Sequence, residues 1–221
     1  MRRSTLAKGL LCGVDEAGRG CVVGPLVIAA VAAERDELPL LKALGVADSK
    51  TLSPRRREEI FEKLRTSFRV GYMAVTPRRI SSCLRVNGGD GLNELEYGVM
   101  AELVQSFRPR ILFVDSPDRD VRRARRRLLE KLEMEMDVRC MVKGDRRHVL
   151  VAAASIVAKV VRDRKVEMLR RRLGDFGSGY PSDPKTRKWL LENLGQAAIK
   201  PYIRTGWATL ENLRQTRLDE F

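Results

Sequence analysis

Two stretches near the start of the chain carry almost no polar position. Residues 9–15 ("GLLCGVD") and 25–33 ("PLVIAAVAA") have the pattern of strands covered on both faces. Arg69 to Val75 instead alternates with period two, which predicts a third strand, and the three are expected to form an antiparallel meander. Pro54 opens a helix with Ser53 as its N-cap and Ile60, Phe61 and Leu64 as its apolar face. Residues 92–107 bring Leu92, Leu95, Val99, Leu103 and Phe107 onto one helical face. "RILFVDS" then predicts a short strand ending in Asp115, followed by a basic helix over roughly 119–134. "DVRCMVKGD" predicts another strand, ending in Asp145, and a long helix over about 148–173 follows. Residues 174–184 form a Gly/Pro/Ser loop, and 185–221 read as a helical appendage and tail.

Strands alternating with helices predict an α/β/α sandwich. We expect a core over 1–173 and a C-terminal helical region over 174–221. With 43% apolar residues, the chain can bury a sizeable core. Its 43 Lys and Arg against 29 Asp and Glu leave a formal charge of +14, which favours a polyanionic partner, nucleic acid first. An anionic membrane surface and plain solubility are the alternatives. The longest apolar stretch, Pro25 to Ala33, is far shorter than the roughly 20 residues a membrane-spanning helix needs. No cleavable leader is visible, so a cytoplasmic protein is expected, with no membrane partner. Cys12, Cys21, Cys83 and Cys140 show no metal-finger spacing and read as small buried hydrophobes.

The candidate chemistry lies at the strand ends. Asp15 and Glu16 follow the first strand, and Asp115 and Asp145 end two others. Ligands of open α/β sheets gather outside the carboxyl ends of strands. Carboxylates meeting there on an apolar scaffold would repel one another, and hard divalent cations resolve that repulsion. Taken singly, Asp115 or Asp145 could equally be a helix cap or turn former. Gly18-Arg19-Gly20 permits an anion-binding nest of backbone amides, with a plain tight turn as the alternative. It is not a dinucleotide fingerprint, because a strand follows instead of a helix. "VAAASIVAKVVRD" reads as a helix packed closely on the sheet, with no direct chemistry assigned to Ser155 or Lys159. His148, the one histidine, reads as a capping or surface group.

"GVDEAGRGCVVGPLV", "DSK" at Asp48, "VDS" at Asp115, "KGD" at Asp145, "AASIVAKVVRD" and "GSGYPSDP" occur in that order. Together they resemble ribonuclease HII, the type 2 ribonuclease H, in its archaeal form. The resemblance implies a ribonuclease H-like fold with a central mixed five-stranded sheet flanked by helices. It implies endonucleolytic hydrolysis of RNA in RNA–DNA hybrids and nicking at ribonucleotides embedded in duplex DNA, leaving 5′-phosphate and 3′-hydroxyl ends. By the same resemblance, Asp15, Glu16, Asp115 and Asp145 are the catalytic and metal-binding carboxylates for two Mg²⁺ or Mn²⁺ ions. Gly18, Arg19 and Gly20 fall where the family's backbone reads the 2′-hydroxyl, and Tyr180 falls on its junction-reading tyrosine. The family's usual proline after this turn is Cys21 here, which leaves the turn looser and deletes no donor.

Lys50 and Lys143 are candidates to contact phosphates or to orient carboxylates. The run Arg122, Arg123, Arg125, Arg126 and Arg127 reads as a solvated helix face, with duplex contact as the alternative. Gln215, Leu218 and Phe221 have the Q-x-x-L-x-x-F spacing of a peptide that docks on the replication sliding clamp (PCNA); a frayed tail is the alternative. A monomer is expected. Two rivals remain at this stage: another metal-dependent nuclease or strand-transfer enzyme of the same fold, resolvase-like, and a non-catalytic basic nucleic-acid-binding module.

Overall fold

The computed structural model describes residues 9–46, 52–211 and 213. Lys50, Gln215, Leu218 and Phe221 lie outside the described residues.

Strand β1 (Leu11–Ala17) is the centre of a mixed five-stranded sheet. On one side it pairs antiparallel with β2 (Leu26–Ala33), which pairs antiparallel with β3 (Arg69–Val75). On the other it runs parallel to β4 (Ile111–Asp115), itself parallel to β5 (Asp137–Met141). The order is therefore β3-β2-β1-β4-β5, and the first three strands form the expected meander.

Strand residues alternate between faces, and the two faces of this sheet have separate cores. Leu11, Val27, Ala29, Val31 and Phe113 pack against α1 (Leu38–Ala43), α2 (Pro54–Ser67) and α6 (Val149–Leu173). Cys12, Val14, Ile28, Leu112 and Val114 pack on the other side against α3 (Pro77–Cys83), α4 (Leu92–Gln105) and α5 (Val121–Leu129). Helix α2 begins as its sequence predicts: Pro54 is at its start, and the Ser53 side chain accepts the Arg56 N–H. A third apolar cluster joins Val22, Val23 and Val166 to Trp189 and Leu190 of α7 (Pro184–Asn193) and to Ile199, Ile203 and Leu210. The C-terminal region is thus built onto the turn that follows β1.

Three boundaries differ from the sequence expectations. Asp15 and Glu16 lie within β1 and do not follow it, because β2 continues the ladder opposite them, Asp15 facing Ala29 and Glu16 facing Ile28. Strand β5 stops at Met141, so Asp145 is not a strand end. Lys143 adopts a left-handed backbone (φ 55°, ψ 47°), and Gly144–Arg146 form a 3-10 turn that leads into α6. The basic helix α5 is shorter than 119–134, starting where Asp120 accepts the Arg122 and Arg123 N–H groups.

The arginine run of α5 is partly occupied within the molecule. Arg123 pairs with Asp118, Arg127 with Glu94 and Glu130, and Arg125 donates to the Val138 carbonyl. His148 is the N-cap of α6, and its ring stacks on Phe113 at 3.6 Å.

Candidate active site

Strand register brings the first two acids together. Val14 of β1 lies beside Val114 of β4 in a parallel pair, so the next residues, Asp15 and Asp115, are neighbours on one face. That face is the one α6 covers. It can lie close because position 13 is glycine: a Cβ there would stand 2.3 Å from the Leu150 carbonyl carbon in the first turn of α6. Asp145 reaches the same place from the 3-10 turn before α6, and the Gly144 N–H donates to Asp115 Oδ1 at 2.8 Å. Glu16, next along β1, points to the other face at the same end of the sheet.

The electrostatics follow from this convergence. Burial pushes the Asp15 carboxyl up to about 8; the Asp115 and Asp145 charges push the same way, against a hydrogen bond from Ser155. Burial also raises Glu16 well above the usual range, helped by Asp15, Glu96 and Asp115. Asp15 and Asp145 are only 4% and 5% exposed, so water cannot carry this cost. Among the described residues no three His, Cys, Asp or Glu side chains are grouped tightly enough to hold a metal ion as they stand. The donor set nevertheless suits a hard divalent cation: all its ligand atoms are carboxylate oxygens, and the buried Glu16 Oε2 has no hydrogen-bond partner among the described residues.

Beside the acids is a cleft of about 380 Å³ lined by Glu16, Gly18, Gly20, Ser155, Lys159 and Tyr180, among others. Ser155 and Lys159 are one turn apart on α6 and are functional candidates that sequence reasoning passed over. Their helix reads as uniformly close-packed, and only its placement against Asp15 reveals them. Gly18 has φ +82° and would put a Cβ 2.8 Å from the Pro25 carbonyl oxygen, so this turn requires glycine. The Arg19 side chain is engaged with the fully buried Glu96, its Nε lying 2.9 Å from Oε1, and with Asn93. What the turn offers the cleft is therefore backbone.

Tyr180 faces this turn from the loop after α6. That loop is pinned: Gly179 O accepts the N–H groups of Val22 and Val23, and Gly179 N–H donates to Thr186. Burial pushes the Tyr180 phenol up to about 12, and the neighbouring Cys21 adds to the shift. Arg162 of α6 donates to Cys21 Sγ at 2.9 Å and to the Ser178 carbonyl, and its guanidinium lies 5.1 Å from the Tyr180 ring centroid. Cys21 stands in this turn where the family's usual proline is expected. Its N–H closes on Gly18 O at 3.3 Å, a bond that proline cannot make. Lys143, at its left-handed position, flanks the Asp145 turn.

The family model described as Ribonuclease HII matches residues 12–210 of this chain. A ribonuclease HII of Archaeoglobus fulgidus is 43% identical over 209 residues, covering 95% of this chain and 98% of the relative. The crystal structure of ribonuclease H2 from Pyrococcus horikoshii superposes with a TM-score of 0.84 at 37% identity, covering 95% of this chain and 99% of that one. The structure of a PCNA:RNase HII complex from Archaeoglobus fulgidus gives 0.84 at 44% identity, covering 96% and 100%.

Proposed function

The chain belongs to the ribonuclease HII family, metal-dependent endoribonucleases that cleave RNA in RNA–DNA hybrids and at embedded ribonucleotides, and we propose how its own residues carry out that reaction. The observation that carries the reading is the β1–β4 register, whose last pair, Val14 with Val114, leaves Asp15 and Asp115 side by side, joined by Glu16 and the Asp145 turn, next to a glycine turn that presents backbone to the same cleft.

In this reading Asp15, Glu16, Asp115 and Asp145 hold two divalent ions, Mg²⁺ or Mn²⁺. Such ions, once bound, supply Lewis acidity to the phosphodiester and a more acidic water. The protein residues do the rest. Ser155 fixes Asp15 by hydrogen bonding, and the Gly144 N–H fixes Asp115. Lys159 and Arg57, both lining the cleft, attract the phosphate. The Arg19 and Gly20 N–H groups meet the ribose 2′-oxygen, the feature that distinguishes RNA from DNA. Deoxyribose leaves those donors without an acceptor, which costs affinity and rate. The Tyr180 ring packs on the neighbouring sugar. Hydrolysis leaves 5′-phosphate and 3′-hydroxyl ends. The tail residues Gln215, Leu218 and Phe221 bind a sliding clamp, a reading supported by their spacing and by the PCNA complex of the Archaeoglobus fulgidus relative.

The test uses two labelled duplexes, one all-DNA and one with a single ribonucleotide, each with Mg²⁺ or Mn²⁺. We expect one nick, beside the ribonucleotide only. Asp15→Asn and Asp145→Asn should each lose more than about a hundredfold in rate while duplex binding persists. Ordinary turnover by either variant removes the metal assignment, and cutting of all-DNA junctions favours a resolvase-like activity.

A further inference from the structure

Arg204 lies in the C-terminal region, about 185 residues along the chain from the glycine turn, yet it has no exposed surface. Its guanidinium is directed at that turn and at the segment just after it. Nη2 donates to Gly18 O at 2.7 Å, Nη1 to Arg19 O at 2.7 Å and Nε to Gly24 O at 3.1 Å. The segment around it is tied to the same place. Arg204 N–H donates to Val22 O, Gly24 N–H donates to Tyr202 O, and Val23 and Ile203 form an antiparallel bridge. The Trp207 ring lies against the guanidinium, 5.4 Å from centroid to carbon.

These bonds have a consequence for the opposite edge of the turn. In a trans peptide the C=O and the following N–H point in opposite directions. Gly18 O shares a plane with the Arg19 N–H, and Arg19 O shares one with the Gly20 N–H. By holding both oxygens toward the core, Arg204 turns both N–H groups outward, toward the cleft lined by Gly18, Arg19 and Gly20. Among the described residues no protein acceptor meets either N–H. A cation on the carbonyl side also polarises each amide and strengthens its N–H as a donor.

We propose that Arg204 is a positioning residue for ribose selection, aiming and polarising the two backbone donors that meet the 2′-hydroxyl. This rests on the reading that the Gly18–Gly20 turn contacts the ribose. A lysine in its place keeps the charge but lacks the planar fork that matches these carbonyls, and a neutral methionine holds neither oxygen. Arg204 bonds none of the four carboxylates and meets the cleft lining only through the Gly18 and Arg19 carbonyls, so its loss should weaken selection and leave the metal site intact.

The experiment measures affinity for a duplex with one ribonucleotide and for the same duplex without it, using Ca²⁺ to hold off hydrolysis. For Arg204→Met we expect the ratio of the two affinities to fall by about tenfold. Arg204→Lys should be intermediate, and Mn²⁺ titration of both variants should match the parent chain. An unchanged ratio in a folded Arg204→Met protein overturns the proposal. If neither variant folds, ¹⁵N signals of the parent chain decide: the Arg204 guanidinium should shift with the ribonucleotide duplex and not with all-DNA, and no such difference overturns it. Arg19 and Gly20 amide signals read in the same spectra separate the two ideas. If they show no ribose-dependent shift, the turn reading itself fails. If they do while the affinity ratio survives in Arg204→Met, only the role of Arg204 fails.

Discussion

Asp15 is the residue on which the site's electrostatics turn. It is buried between Asp115 and Asp145, and its carboxyl is held up at about 8 instead of 3.8. An acid whose folded pKa is raised binds its proton more tightly in the native state than in the unfolded chain. Its stabilising contribution is complete below about pH 4 and is lost as pH climbs through about 8. The metal-free protein should therefore melt at lower temperature at pH 8 than at pH 5, with Asp15 contributing to the drop. A divalent cation binds the ionised form and displaces the proton, so Mn²⁺ should raise the melting temperature more at pH 8 than at pH 5. Asp15→Asn should shrink both effects. Thermal scans at the two pH values, with Mn²⁺ or with a chelator, check this; an equal Mn²⁺ effect at both would detach Asp15 from the cation.

At the scale of elements, the decisive contact is that of α6 on β1. The helix starts against the strand at Gly13, where a side chain would overlap the Leu150 and Val151 backbone at 2.3 to 2.5 Å. Backbone cannot rotate away as a side chain can. Gly13→Ala should therefore destabilise the fold by roughly 2–3 kcal/mol and disturb Asp15 and the Asp145 turn together, since both depend on this seat. Urea unfolding followed beside cleavage checks it: a loss under about 0.5 kcal/mol would mean that the helix is seated otherwise.

The same contact shows what a sequence reader can and cannot see. Strand β2, helix α2 with its Ser53 cap and helix α4 were legible because period and capping are local signals. The four acids were legible through strand ends and family motifs, although two of them sit inside β1 and one on a turn. Glu96 and Arg204 were not. Each is a polar residue in a helical or loop context that normally means solvent, and each is fully buried against the turn at Gly18–Arg19. Their partners lie 77 and 186 positions away, beyond any local pattern.

For the whole molecule, the proposed function has charge and tail divide the work of staying on the substrate. A net charge of +14 draws the chain to any duplex. That attraction comes from counterion release, so it weakens steeply as salt rises. Apolar docking of Leu218 and Phe221 on a clamp, as proposed, would carry little of that dependence. The two contributions should therefore separate with ionic strength. At low salt, charge alone holds the enzyme, and a clamp loaded on the DNA should add little to nicking. As salt rises, the clamp should stimulate the full chain progressively, by raising the local concentration of enzyme beside the duplex. Removing residues 215–221 should abolish this stimulation at every salt concentration, while leaving nicking without a clamp within about twofold, because the cleft residues are untouched. Rates on clamp-loaded and bare duplex across a salt series, for the full and shortened chains, make the comparison. Salt-independent stimulation, or stimulation that survives the deletion, would place clamp binding elsewhere on the molecule.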